Sequence, residues 1–84
     1  MSIALEKTQL EKIIFQILTE VCFDQDFTKI NKSIPLKNQI NFDSMDFLDT
    51  VMIFRERFSI DIPEEDFPKL VSIESFISYL ENRL

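Results

Sequence analysis

The chain has 84 residues, 45% of them hydrophobic, a formal net charge of −6, one cysteine, and neither histidine nor glycine. Without histidine there is no Ser-His-Asp triad and no zinc site of the ordinary kind, and without glycine the phosphate-cradling loops of nucleotide-binding folds are excluded. The negative charge argues against nucleic acid, which needs a basic footprint, and favours basic surfaces on other proteins as partners.

This length supports one hydrophobic core and not two, so residues 1–84 are expected to form a single domain. No apolar run approaches the ~18 residues of a membrane span. Residues 1–12 alternate apolar and charged side chains and lack the apolar stretch of a signal peptide. A cytoplasmic, monomeric protein is expected. Cys22 has no partner for an internal disulfide and no histidine to activate it, so it reads as a small buried hydrophobe.

Along the chain the apolar spacing is helical almost throughout. Leu10, Ile13, Ile14, Ile17, Leu18 and Val21 form one face of a first helix, started either by Ser2 or by a capping box of Thr8 with Glu11. Phe15 falls outside that stripe. A long connection follows from about residue 23 to 42, rich in turn-prone Asp, Asn, Ser and Pro. Its Phe27, Ile30, Ile34, Leu36 and Ile40 predict that it packs against the domain, and a connection of this length is often functional.

A second helix is predicted from Ser44 to about Phe58. After it, "SIDIPEEDF" reads as an extended link. Pro63 and three acids mark the start of a short third helix, which Pro68 should hold to about a turn. Ser72 caps a last helix whose stripe is Ile73, Phe76, Ile77, Leu80 and Leu84, with Arg83 favouring the dipole at its end. The fold class is all-α: a small four-helix bundle, three main helices and one short one, with a long first loop.

The second helix carries two apolar faces. At ~100° per residue, Phe47, Val51, Phe54 and Phe58 fall together as a core face with Thr50 at its edge, while Met45, Leu48 and Met52 lie roughly 120° further round. Asp49 and Glu56 project beside this second stripe, with Asp46 further round the acidic side. The stripe either packs beneath the long connection or forms a docking face, with adaptable apolar contact and acids that steer a basic partner.

Ser44 stands where that helix starts. Asp43 is a good N-cap, Asp46 is placed to reach back to it, and Phe42 with Phe47 occupy the positions of a hydrophobic staple. This puts Ser44 at the first helical position, beside free N–H groups and the positive helix end, where a phosphoester on its hydroxyl would be favoured. Serine at helix starts is common and usually structural, so capping alone leaves its role open.

The stretch "FDSMDFLDTVMIFRERFSIDIPEEDF", residues 42–67, resembles the acyl carrier proteins, and the likeness continues through "VSIESFISYL". It covers residues 42–84, while the first half agrees in length and pattern only. In that family an Asp-Ser-Leu motif opens the second helix. The resemblance implies that Ser44 carries 4′-phosphopantetheine, derived from coenzyme A, and that Asp43 assists the phosphopantetheinyl transferase. It further implies that Met45, Leu48, Asp49, Met52 and Glu56 dock partners: acyl-loading enzymes, synthases and acyltransferases with basic patches. It also implies a carrier that catalyses nothing itself and serves lipid, polyketide or related biosynthesis.

Several residues depart from the family pattern. Asn41 stands where glycine is frequent, and Asn is the residue after Gly that best tolerates left-handed geometry. Met45 replaces the commoner leucine at similar volume. Arg55 and Arg57 flank Glu56 where fatty-acid carriers are strongly acidic, and Phe47, Phe54 and Phe67 are bulkier than usual. These favour a dedicated carrier with its own enzymes. An aminoacyl or peptidyl carrier and an unmodified interaction module are the alternatives. The acids Asp61, Glu64, Glu65 and Asp66 lack the alternating ligand pattern of a calcium loop and read as a solvated helix start, so no metal is expected.

Overall fold

The computed structural model describes residues 6–83, and within them the chain is helical with no strand. Helix α1 spans Lys7–Val21, α2 spans Ser44–Phe58 and α3 spans Ile73–Arg83, with 3₁₀ segments at Leu36–Asn38 and Glu64–Lys69. The expected small bundle is therefore present, with α1 packed against both α2 and α3 and the second 3₁₀ segment against α3.

The start of α1 differs from expectation. The Glu6 N–H donates to Gln9 Oε1 at 3.0 Å, and Thr8 is already a helical residue. A box opening at Thr8 would discard the turn before it, which Gln9 holds in place. Ser2, the other candidate, lies outside the described residues, as does Leu84. From α1, Leu10, Ile14, Ile17 and Leu18 are fully buried, while Ile13 and Val21 are half-buried at the margins of the same stripe.

The long connection is bound to the start of α3 and the residues just before it. Leu36 N–H donates to Val71 C=O at 2.8 Å, and Glu74 N–H donates to Lys32 C=O at 3.0 Å. Gln39 Nε2 donates to the carbonyls of Asn31 and Ile34, while its Oε1 accepts from the Asn31 N–H. Asp26 and Asn31 each accept from the N–H and hydroxyl two residues on, the local turns that favour these residue types. Leu36, in the unpredicted first 3₁₀ segment, is wholly buried. Phe27 packs edge-on against Phe15 at 6.4 Å, which brings Phe15 into contact with the core from outside the α1 stripe.

Helix α2 ends at Ser59, whose φ of 54° places it in the left-handed region. The Ser59 and Ile60 N–H groups both reach the Arg55 carbonyl, an arrangement that usually recruits glycine. With no glycine in the chain, serine takes the position at a cost of roughly 1–2 kcal/mol. Beyond it Ile62 is buried, so the link to the next segment is part of the core.

The short third helix is a 3₁₀ segment of six residues that contains Pro68 instead of stopping before it. Its turns close through i→i+3 bonds, Asp66 N–H to Pro63 C=O at 2.9 Å and Leu70 N–H to Phe67 C=O at 3.0 Å, while Pro68 has no N–H to donate. Pro63 precedes the first helical residue and so acts as the cap. Ser72 caps α3 as expected, its hydroxyl oxygen accepting from the Ser75 N–H at 3.2 Å. Phe54 of α2 and Phe76 of α3 meet edge-to-face at 5.2 Å in the centre of the core, the geometry aromatic pairs prefer.

Candidate functional site

The start of α2 follows the local rules closely. Asp43 Oδ1 accepts from the Asp46 N–H at 2.9 Å, and Asp46 Oδ2 accepts from the Asp43 N–H at 3.4 Å. Phe42 and Phe47 close the staple with ring centroids 6.4 Å apart. The first backbone bond of the helix is Phe47 N–H to Asp43 C=O, so the Ser44 and Met45 N–H groups precede the bonded ladder. Ser44 is exposed at the first helical position. The arrangement combines a reachable hydroxyl, two unbonded N–H donors and the positive end of a 15-residue helix.

A cleft of about 270 Å3 opens beside Ser44. Phe42, Phe47, Phe67, Leu70 and Val71 give it apolar walls, and Lys37 contributes a cation. Phe47 and Phe67 meet edge-on at 5.2 Å on its wall. The sequence carries no local signal for Lys37, because the fold of the long connection brings it to the start of α2.

The second stripe of α2 is exposed. Met45, Leu48 and Met52 retain 68%, 44% and 56% of their surface, so the long connection does not cover them. Asp49 and Glu56 are exposed beside them. Asp46 differs from the other docking candidates: it is half-buried and its carboxylate is engaged in the cap. Arg55 leans toward Asp61 at 3.7 Å, an exposed pair that contributes little.

Asp66 corrects the reading of its cluster as a solvated helix start. It is buried, accepts from Tyr79 Oη at 2.5 Å and Arg83 at 2.6 Å, and pairs with Lys69 at 3.2 Å. Arg83 also lies over the Tyr79 ring, 4.8 Å from its centre. Its role is thus a tie between α3 and the 3₁₀ segment in addition to any dipole effect. The Tyr79 hydroxyl, followed by Lys69 and Arg83, holds the Asp66 carboxyl below its usual range despite burial. Burial, and then the Asp66 bond, push Tyr79 up to about 12.

Cys22 is buried, as expected. Desolvation, then the negative field of Asp46, Asp24 and Asp43, raises its thiol to about 11, which leaves it unreactive near neutrality. Among the described residues no group of three or more His, Cys, Asp or Glu is placed to hold a metal ion. No described helix is long and apolar enough to cross a membrane.

No family model matches the chain. Its sequence is nevertheless similar to several proteins named acyl carrier protein. It is 33% identical over 66 residues to that of Campylobacter lari, spanning 79% of this chain and 83% of the relative. The protein of Campylobacter hominis is 32% identical over 74 residues, 82% of this chain and 91% of its own. That of Lactobacillus johnsonii is 30% identical over 77 residues, 92% and 94% of the two chains. These matches extend well into the first half of the chain, where the sequence has no sharp motif, and with the helical bundle they show that the chain belongs to the acyl carrier protein family.

Proposed function

We propose that this chain is a non-catalytic carrier, modified on Ser44 by a phosphopantetheinyl transferase and docking partner enzymes through the outer stripe of α2. The bound 4′-phosphopantetheine arm would supply a terminal thiol that holds acyl groups as thioesters. The observation that carries the reading is the exposed serine at the first position of a capped helix, beside an apolar cleft. Ser44 would bind the arm's phosphate through its hydroxyl oxygen. The unbonded N–H groups of the first turn and Lys37 would balance its charge. Asp43 holds the helix start in shape and would assist modification.

The partners would be acyl-loading enzymes, synthases and acyltransferases with basic docking patches, with Met45, Leu48 and Met52 giving apolar contact and Asp49 and Glu56 charge. Asp46 lies at the edge of that set. Arg55 and Arg57, and the Phe47–Phe67 ring pair on the cleft wall, support a dedicated carrier with its own enzymes over a general fatty-acid carrier. Cargo could be acyl or aminoacyl in chemistry.

Intact mass after incubation with coenzyme A and a broad-specificity phosphopantetheinyl transferase tests the reading. The wild type should gain one phosphopantetheine and Ser44→Ala none, with the helical circular dichroism of both unchanged. Addition to the Ser44→Ala protein would move the attachment elsewhere. No addition to the wild type, with this transferase and with one from the source organism, would leave an unmodified interaction module.

A further inference from the structure

The end of α1 borders the outer stripe of α2 and carries features that the core does not use. Glu20, Val21, Asp49, Met52, Ile53 and Glu56 line a groove of about 360 Å3 between the two helices. Its rim is acidic, and its floor is formed by the half-buried Val21 and Ile53. Among the described residues no ion pair engages Glu20, Asp49 or Glu56. Just past the helix, Phe23 is 83% exposed, the greatest exposure of any large hydrophobic residue described. Cys22 N–H closes α1 on Leu18 C=O, and Gln25 Oε1 accepts from the Asn41 N–H at 3.4 Å, so this segment is tied to the approach to α2.

A phenylalanine left in water beside a buried cysteine contributes nothing to packing, and three unpaired acids around an apolar trough form a complementary surface for cations flanking an apolar side chain. We propose that the docking surface for the enzyme acting at Ser44 spans two helices. The partner's apolar side chain fills the groove, its lysines or arginines face Glu20, Asp49 and Glu56, and Phe23 anchors the edge. This rests on the carrier reading above and adds α1 to the surface. The phosphopantetheinyl transferase, which must approach Ser44, is the partner that the test uses.

The experiment measures kcat and KM for modification by that transferase at several salt concentrations. The variants are Glu20→Lys, Phe23→Ser, and Glu81→Lys, which makes the same charge change at an exposed α3 position away from the groove. Glu20→Lys and Phe23→Ser should each raise KM roughly fivefold or more with kcat little changed. Glu20→Lys should also flatten the salt dependence, and Glu81→Lys should leave KM near wild type. All three change exposed side chains, and an unchanged urea midpoint confirms folding.

Wild-type KM in both groove variants would overturn the proposal while leaving the carrier reading intact. An equal rise for Glu81→Lys would reduce the effect to net charge and overturn it as well. A wild type that is never modified would remove both. Light scattering covers the other occupant: a wild-type dimer that Phe23→Ser makes monomeric would assign the surface to a second copy of the chain.

Discussion

The inner and outer faces of α2 are both apolar, yet they are treated in opposite ways. Val51 and Phe54 are buried completely, and Phe47 and Phe58 pack half-buried against the core. Met45, Leu48 and Met52 keep about half or more of their surface in water. The inner residues are aromatic or β-branched and interlock, as when the Phe54 ring meets those of Phe58 and Phe76. The outer residues are unbranched at the β-carbon and adaptable, a composition suited to a surface that receives more than one shape. Stability is thus concentrated on one side of the helix, which frees the other to change without unfolding the chain.

The largest test of that division is Phe54→Ala, which should cost about 3–5 kcal/mol in urea unfolding because the core cannot close over the lost ring. A cost below about 1 kcal/mol would mean that the inner face is not what holds α2. Tyr79→Phe, which removes one buried bond between α3 and the second 3₁₀ segment, should cost about 1–2 kcal/mol by the same measurement. It would sharpen the comparison by showing how much of the bundle's stability lies outside α2.

The pH dependence of that bond has two arms. The Asp66 carboxyl is held below its usual range, so its contribution is complete above pH about 4 and is lost as pH falls through the depressed folded value. Tyr79 is raised to about 12, so its contribution is complete below pH about 10 and is lost as pH climbs toward 12. Urea midpoints should therefore fall at both extremes, and the gap between wild type and Tyr79→Phe should narrow above pH about 10. The Cys22 thiol, raised to about 11, adds to the alkaline loss in both proteins. A gap that stays constant from neutral to strongly alkaline pH would contradict the assigned bond.

The smallest effect belongs to the outer face. Met52→Ala and Leu48→Ala should each shift stability by no more than about 0.5 kcal/mol, whereas docking to a basic partner enzyme should weaken measurably. If either costs as much as a core residue, the outer stripe is packed and the division of α2 fails.

What could be read from the sequence was what neighbouring residues determine. Asp43, Asp46, Phe42 and Phe47 lie within six positions of one another and fix the start of α2 and the position of Ser44. The spacing of Val51 and Phe54 separated the core face from the outer one. The burial of Asp66 could not be read in this way, because its partners Tyr79 and Arg83 lie 13 and 17 residues further on. Lys37 likewise reaches the cleft only through the path of the long connection. The 3₁₀ winding of Glu64–Lys69 has no local signal either, since Pro68 marks only where a backbone donor is absent and not how the residues around it wind.

The burial of Cys22 has a consequence for counting. If Ser44 bears the proposed phosphopantetheine arm, the thiol of that arm is the one within easy reach of a maleimide or a disulfide reagent near neutral pH, because Cys22 is enclosed. Labelling of the folded chain would then report occupancy of Ser44 directly, one label for each arm, and blocking of that label would report the loaded fraction. The fold in effect supplies its own blank.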